Sequence, residues 1–560
     1  MSNGSVTNFP RESTIRELVD IQRADYARKA DTEYKEKVAA ATSKDEVDCL
    51  FAEWWKYQYD PKVYTKADML ERWFGNVLDD TRVHGVTTPR YAKSTSMIGE
   101  LTDDSAGLVC TPSTEATAGS DPFAHLPQFW CLEVAAEKKV DGTHEIFYVE
   151  HIDSTKDVRS GEHLCWMVQK NTWKREWQND EYKYLKTRCH PASGYKRWPE
   201  GTDRTGKVHE YIAHPKYYAG LDADGAITCG TGLAPVNRTS HSTGVTRWRA
   251  RGTQYSGASG SLPKFLDAMM RLKYGRKGNS GKIEGCSSYS FQYTVAVAET
   301  GVERVILTTA QAANLFVGSA VMLGTNASTD RNAASAYSIF DAKLITAIET
   351  VNVEGTDYSA VYVDNGGKTF DTVAGTTMLS TAPYYSGWND NVLGRDGSRY
   401  SPTSGKEPGM IQGVEFMNGS YLIVSDELWQ WSTDADGNYN FDCFKCYDQS
   451  KVGSSVNENY DQIKGAHLVY PAGTGGAWTY ITDNIIDDDV LWPEATTASG
   501  SGVGVGAGFF RFPAASGVRA AWCWGYLAPG GYGGVPCRRS SYGVSSAYWN
   551  GSLGAPGSEG

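Results

Sequence analysis

Fifteen glycines fall within residues 501–560, interleaved with Phe509, Phe510, Phe512, Trp522, Trp524 and Trp549. That combination leaves the segment few ways to fold. Each glycine disfavours a helix by about 1 kcal/mol relative to alanine, and six large apolar rings are costly to leave in water. What remains is a set of small-residue loops held on a packed base, the arrangement of a ligand-presenting surface. The same segment carries four Tyr, no Lys and a single acid, Glu559. Tyr offers a large, stiff, amphipathic contact, Ser and Gly adapt, and Arg adds a forked donor, so the composition is that of a binding surface.

The whole chain is long enough for three or four domain-sized units, and 40% of its 560 residues are hydrophobic, enough for extensive cores. A mean hydropathy of −0.44 and the lack of any long apolar run argue against membrane insertion. A net charge of −12 argues against a dedicated nucleic-acid partner, which would show a basic stripe. The first residues, MSNGSVTNFPREST, lack the basic and apolar pattern of a secretory signal, so synthesis in a cytoplasm is expected. The 11 Cys are scattered singly, and most of them are expected to be buried free thiols.

Residues 1–76 read as a helical N-terminal region. Thr14 and Glu17 have capping-box spacing, Ile15, Leu18 and Ile21 follow at helical intervals, and a break is expected near Thr42–Asp45. Two roles stay open for it: a helical hairpin packed on its own domain, or an attachment and oligomerisation stalk. Residues 77–121, rich in Thr, Ser, Gly and Pro, read as a loop-rich connection. Strands are expected at Phe129–Val134 and Glu145–Val149, and a helix from Ser261, its cap, to Gly275, its stop. Residues 308–383 alternate strand-like runs with turns and read as a small inserted all-β unit. After it, Gly413–Phe416 and Tyr421–Val424 are expected to pair as a hairpin about Asn418–Gly419, and the glycine string 502–508 to be a flexible connector.

From Gly517-Val518-Arg519-Ala520-Ala521-Trp522 the chain continues as GYLAPGGYGGVPCRRSSYGVSSAYWNGSLGAPG. This stretch resembles the variable region of diversity-generating-retroelement target proteins, a family that includes phage tail proteins that determine host tropism. In that family, adenines of Asn codons are replaced at set positions within an invariant frame. The matching positions here are Tyr526, Ala528, Pro529, Tyr532, Arg539, Ser541, Tyr542, Ser546 and Tyr548, within a variable region of 517–551. Gly525, Leu527, Gly530, Gly531, Trp549 and Gly551 match the frame.

The resemblance implies an α+β chain with a C-type-lectin-type domain, akin to the formylglycine-generating enzyme fold, over 122–307 and 384–560, with the β unit inserted. It further implies a trimeric virion adhesin of the phage tail, binding a bacterial surface protein or glycan receptor through the nine side chains and joined to other tail proteins. Trp522, Trp549 and Leu527 are expected to pack beneath that face. A variable protein displayed by a bacterium itself, or an enzyme of the formylglycine-generating type, is the alternative.

Reactive chemistry is sparse. Cys523 and Cys537 sit amid Trp, Pro and Gly with no local His and read as core thiols, and Cys443 and Cys446 form a lone CxxC. Asp487–Asp489 reads as a solvated loop, and Arg247, Arg249 and Arg251 about Trp248 read as alternating on a strand. No catalytic residue, metal site or cofactor is expected.

Overall fold

The computed structural model describes residues 12–325, 330–513 and 516–558, with side chains from residue 19 onward. It is a mixed α+β protein built around antiparallel sheets.

A helix over Glu12–Ala40 is followed by one over Lys44–Gln58, whose first turn is capped by the Ser43 hydroxyl accepting from Glu46 N at 3.3 Å. The expected break at 42–45 is therefore this cap, whereas the expected Thr14–Glu17 capping box involves side chains outside the description. Val47, Phe51, Trp54 and Trp55 face inward from the second helix. Phe51 meets Trp73 edge-on at 5.0 Å, and Trp73 lies 5.8 Å from Trp130 of the body. Asp31 ties the bundle together, accepting from Trp54 Nε1 at 3.0 Å and pairing with Arg72 at 2.8 Å. These helices share one continuous core with the rest of the chain.

Four strands, in the order His144–Val149, Cys131–Lys138, Leu164–Lys170 and Tyr211–Pro215, form one sheet. A second has the order Glu100–Asp103, Val83–Pro89, Tyr182–Arg188, Trp173–Gln178 and Lys196–Arg197. Within the loop-rich residues 77–121 lie two sheet strands that the sequence did not mark, Val83–Pro89 and Glu100–Asp103, the first pairing along the edge that Tyr182–Arg188 offers.

The helix Ser261–Tyr274 buries Leu262, Phe265, Leu266, Met269 and Leu272 and stops at Gly275, whose φ of 61° needs a residue without Cβ. Its N-cap is Gly260, not Ser261: Gly260 N donates to Asp426 instead, at 2.9 Å. Arg247, Arg249 and Arg251 lie on a helix, His241–Arg251, rather than a strand. Ser240 caps it, Trp248 and Val245 give it a buried side, and Arg251 pairs with Glu137.

The inserted unit is a six-stranded sheet with its own core, but it begins earlier than residue 308. Gln292–Thr294 and Arg304–Thr308 form its two edges, pairing with Met378–Thr381 and Thr356–Val363. Strand-forming residues cannot mark which sheet they join, so the expected boundary fell inside the unit.

Glu133, fully buried, binds both flanks of the insertion. It accepts from Arg159 and Arg395 at 2.5 Å and pairs with Lys216 at 3.1 Å, and these cations hold its carboxyl well below the usual range. The chain before the insertion and the chain after it are accordingly packed together, with Trp166 Nε1 donating to Pro556 O and Trp248 Nε1 to Gly554 O.

The last sheet has nine strands. Tyr421–Thr433 lies between Tyr439–Lys445 and Gly517–Cys523, and Arg538–Arg539 bridges onward to Gly508–Arg511 and Ala477–Asn484. Tyr421–Val424 does not pair with Gly413–Phe416, as expected of a hairpin. Val414–Phe416 pairs with Gly409–Ile411, and Tyr421–Ile423 instead receives the C-terminal strand Gly551–Leu553 in parallel. The glycine string 502–508 is fixed as well: Gly504 N donates to Thr95 O, and Val505 and Ala507 are buried.

Candidate functional site

The strand Gly517–Cys523 is the base of the site. Past it the chain turns at Trp524, held at φ 79°, and makes a first loop that returns through Arg538–Arg539. A second loop, 540–550, then leads to Gly551–Leu553. Backbone bonds fix both loops: Trp524 N to Cys537 O and Gly534 N to Trp524 O close the first, and Ala520 N to Tyr542 O and Gly551 N to Tyr548 O close the second. Leu527 and Trp522 are fully buried and Trp549 nearly so, so the frame residues form a floor.

None of the nine side chains marked from the sequence is in the core. Ala528 is exposed, and the other eight are half-buried. Six of them join into one patch around Tyr421, a residue of the central strand. Its ring lies 5.3 Å from that of Tyr526 and 6.4 Å from that of Tyr542, which is 4.9 Å from Tyr548. Arg539 lies over Tyr542 at 4.7 Å and Phe510 at 5.1 Å, and its Nε donates to Ser541 Oγ at 2.8 Å. Arg539 also reaches the Trp478 ring, against which Tyr532 stacks at 5.2 Å, and Tyr480 stacks on Tyr532 at 4.5 Å. Pro529 packs by Gly525 and Gly533 in the first loop, and Ser546 N donates to Gly543 O in the second.

Three residues of this patch were not singled out as site residues by sequence: Tyr421, Trp478 and Tyr480. They come from strands distant in the chain, and only their aromatic character hinted at them. The inserted unit also borders the patch. Asn332 accepts from Trp549 N at 3.1 Å, and Arg331 lies over the Trp549 ring at 4.8 Å.

Cys523 and Cys537 are fully buried and burial pushes both thiols up to about 12, so neither is a thiolate at neutral pH. Cys443 and Cys446 are likewise buried thiols. Asp488 pairs with Lys174 and Lys196, and Asp487 accepts from two backbone N–H groups. Among the described residues no three His, Cys, Asp or Glu side chains stand where they could hold a metal ion, and no helix is long and apolar enough to cross a membrane. A separate polar cleft of about 410 Å³ is lined by Asp426, Lys445, Tyr447 and Gln449 and includes none of the nine positions.

Compared with models of known families, the chain matches none, and no curated protein matches it.

Proposed function

We propose that this chain is a bacteriophage tail receptor-binding protein, carried on the virion, that captures a bacterial surface receptor through its C-terminal face without catalysing a reaction. In this reading 122–307 and 384–560 form a C-type-lectin-type body, and three copies act together to turn modest single contacts into avid attachment. One observation carries it. Six of the nine positions that match the adenine-variable sites of the resembled family join into one partly exposed patch, while the frame residues Leu527, Trp522 and Trp549 are core. A surface that changes from one variant to the next must separate these two roles, because substitutions off the core usually shift stability by only about 0.5 kcal/mol.

The test is adsorption to host cells by a variant with Tyr526, Tyr532 and Tyr548 replaced by Ser. Tyr542 is kept because it packs on Trp522 at 4.1 Å. A central interface aromatic is worth about 2 kcal/mol, roughly thirtyfold in affinity, so adsorption is expected to disappear while the protein stays folded. Normal adsorption by a folded triple variant would place recognition elsewhere.

A further inference from the structure

Away from the nine positions, the polar cleft of about 410 Å³ lies where five separate stretches of chain meet. The strand Tyr421–Thr433 supplies Asp426, and the strand Tyr439–Lys445 ends on Lys445, with Tyr447 and Gln449 just beyond. Ser259 and Ser261 come from the start of the helix Ser261–Tyr274, Glu200 from the turn Pro199–Gly201, and Asp489 from the loop at 487–489. Most of the wall is thus fixed by regular elements, and the volume falls in the range of small-ligand pockets.

The deep wall is polar and braced. Asp426, Lys445 and Gln449 are each more than nine-tenths buried. Asp426 Oδ1 accepts from Gly260 N at 2.9 Å and Oδ2 from Gln449 Nε2 at 3.3 Å, while Gln449 Oε1 accepts from Ser256 Oγ. Lys445 Nζ is held by long contacts: Asp489 O stands at 3.2 Å, Ser259 Oγ at 3.4 Å and Asp426 Oδ2 at 3.9 Å. Tyr447 is exposed at the rim, its hydroxyl donating to Asp489 Oδ2 at 3.0 Å.

The lining sets the charge of what can enter. Five carboxylates face two cations, Arg204 and Lys445. The negative excess repels an anion, and the ammonium in the deep wall repels a second ammonium. A neutral ligand is left, and it has to donate and accept at closely spaced points. Each carboxylate oxygen can take a further hydrogen bond, and the Lys445 ammonium has three donors to place. Hydroxyl groups do both, and a ring of hydroxyls with an apolar C–H face also matches the Tyr447 ring. We propose that this cleft is a second binding site, separate from the variable face, that takes a neutral sugar residue. Its hydroxyls donate to Asp426 and Asp489 and accept from Lys445, and Tyr447 packs on its C–H face.

The experiment titrates the full-length protein calorimetrically with two matched sets: glucose, glucosamine and glucuronate, then galactose, galactosamine and galacturonate. In one set the neutral sugar should bind at least tenfold more tightly than its charged counterparts. Tyr447→Ala should weaken that binding fivefold or more with an unchanged thermal midpoint, because the ring is exposed, whereas Tyr447→Phe should keep most of it. The variant with Tyr526, Tyr532 and Tyr548 replaced by Ser should bind the sugar as the wild type does. The proposal is overturned if no neutral sugar binds, if a charged sugar binds equally well, or if Tyr447→Ala has no effect. It is also overturned if the triple variant loses the sugar, which would place the sugar on the variable face. None of these results bears on the receptor-binding reading, which stands or falls on adsorption by the triple variant.

Discussion

Arg539 donates from Nη1 to the hydroxyl of Tyr421 at 3.1 Å, so a position matched to variable sites is braced by the first residue of the sheet's central strand. Tyr421 is itself fully buried and is flanked by Trp522 at 6.0 Å. The contact shows how a surface side chain is oriented without entering the core: the strand supplies a fixed acceptor, and the loop residue lies across it. It also means that residues from three separate stretches of chain, 421, 478–480 and 526–548, have to be in register before the patch exists.

Gly551→Ala tests that register. A Cβ at this position would lie 2.1 Å from Cη2 and Cζ3 of Trp522, which is buried and cannot move aside. Overpacking of this kind costs about 3 kcal/mol, and chemical denaturation should show it. The same variant should lose receptor binding, because Gly551–Leu553 anchors the second loop against Tyr421–Ile423.

Acid should destabilise the fold between about pH 6.5 and 3 through buried neutral histidines. Burial lowers the pKa of His144 and of His214 to about 3. Their ordinary value in the unfolded chain is about 6.5. The folded value is the depressed one, so the stability they contribute is complete above pH 6.5 and is lost as pH falls towards 3. At pH 5 each should already cost about 2 kcal/mol relative to pH 7. His214 stacks on Phe265 at 4.1 Å. Denaturation midpoints of His214→Leu at the two pH values should therefore show a dependence smaller by about 2 kcal/mol, and an unchanged dependence would count against a neutral buried imidazole.

Thiol labelling should be selective. Cys49 is exposed while the other ten cysteines are buried, and burial raises thiols such as Cys131 to about 11 and Cys189 to about 12. A maleimide should modify one site per folded chain and 11 after denaturation. Rapid modification of Cys523 or Cys537 in the folded protein would show that the floor of the face opens.

The proposed trimer should depend on the first helix. Ile21 and Tyr26 are 59% and 67% exposed there, and Tyr26 lines one groove with Tyr57, also exposed. Native mass measurement should give three copies, and Ile21→Glu with Tyr26→Glu should release single chains that remain folded. A wild-type protein that stays a single chain at micromolar concentration would refute the trimer.

What the sequence determined by itself was local. The Gly-rich segment could not be helical, its large aromatics had to be anchored, and Ser261–Tyr274 had to be a helix ending at Gly275. Leu527 and Trp549, interleaved with turn-forming residues, were legible as floor, and the nine intervening positions as lying outside the core. Tertiary structure alone decided how segments pair. A Thr/Gly-rich run at 83–89 became a strand because Tyr182–Arg188 lies beside it, and the inserted sheet took in Gln292–Thr294 and Arg304–Thr308. The Arg/Trp alternation at 247–251 became a helix because Ser240 caps it and Trp248 and Val245 face a common core. Tyr421 and Trp478 joined the face from distant strands. Hydrophobic pattern records which side of an element is buried, but the free energy of burial is indifferent to which neighbour covers it. The choice of neighbour is made by long-range register, which no local run of residues encodes.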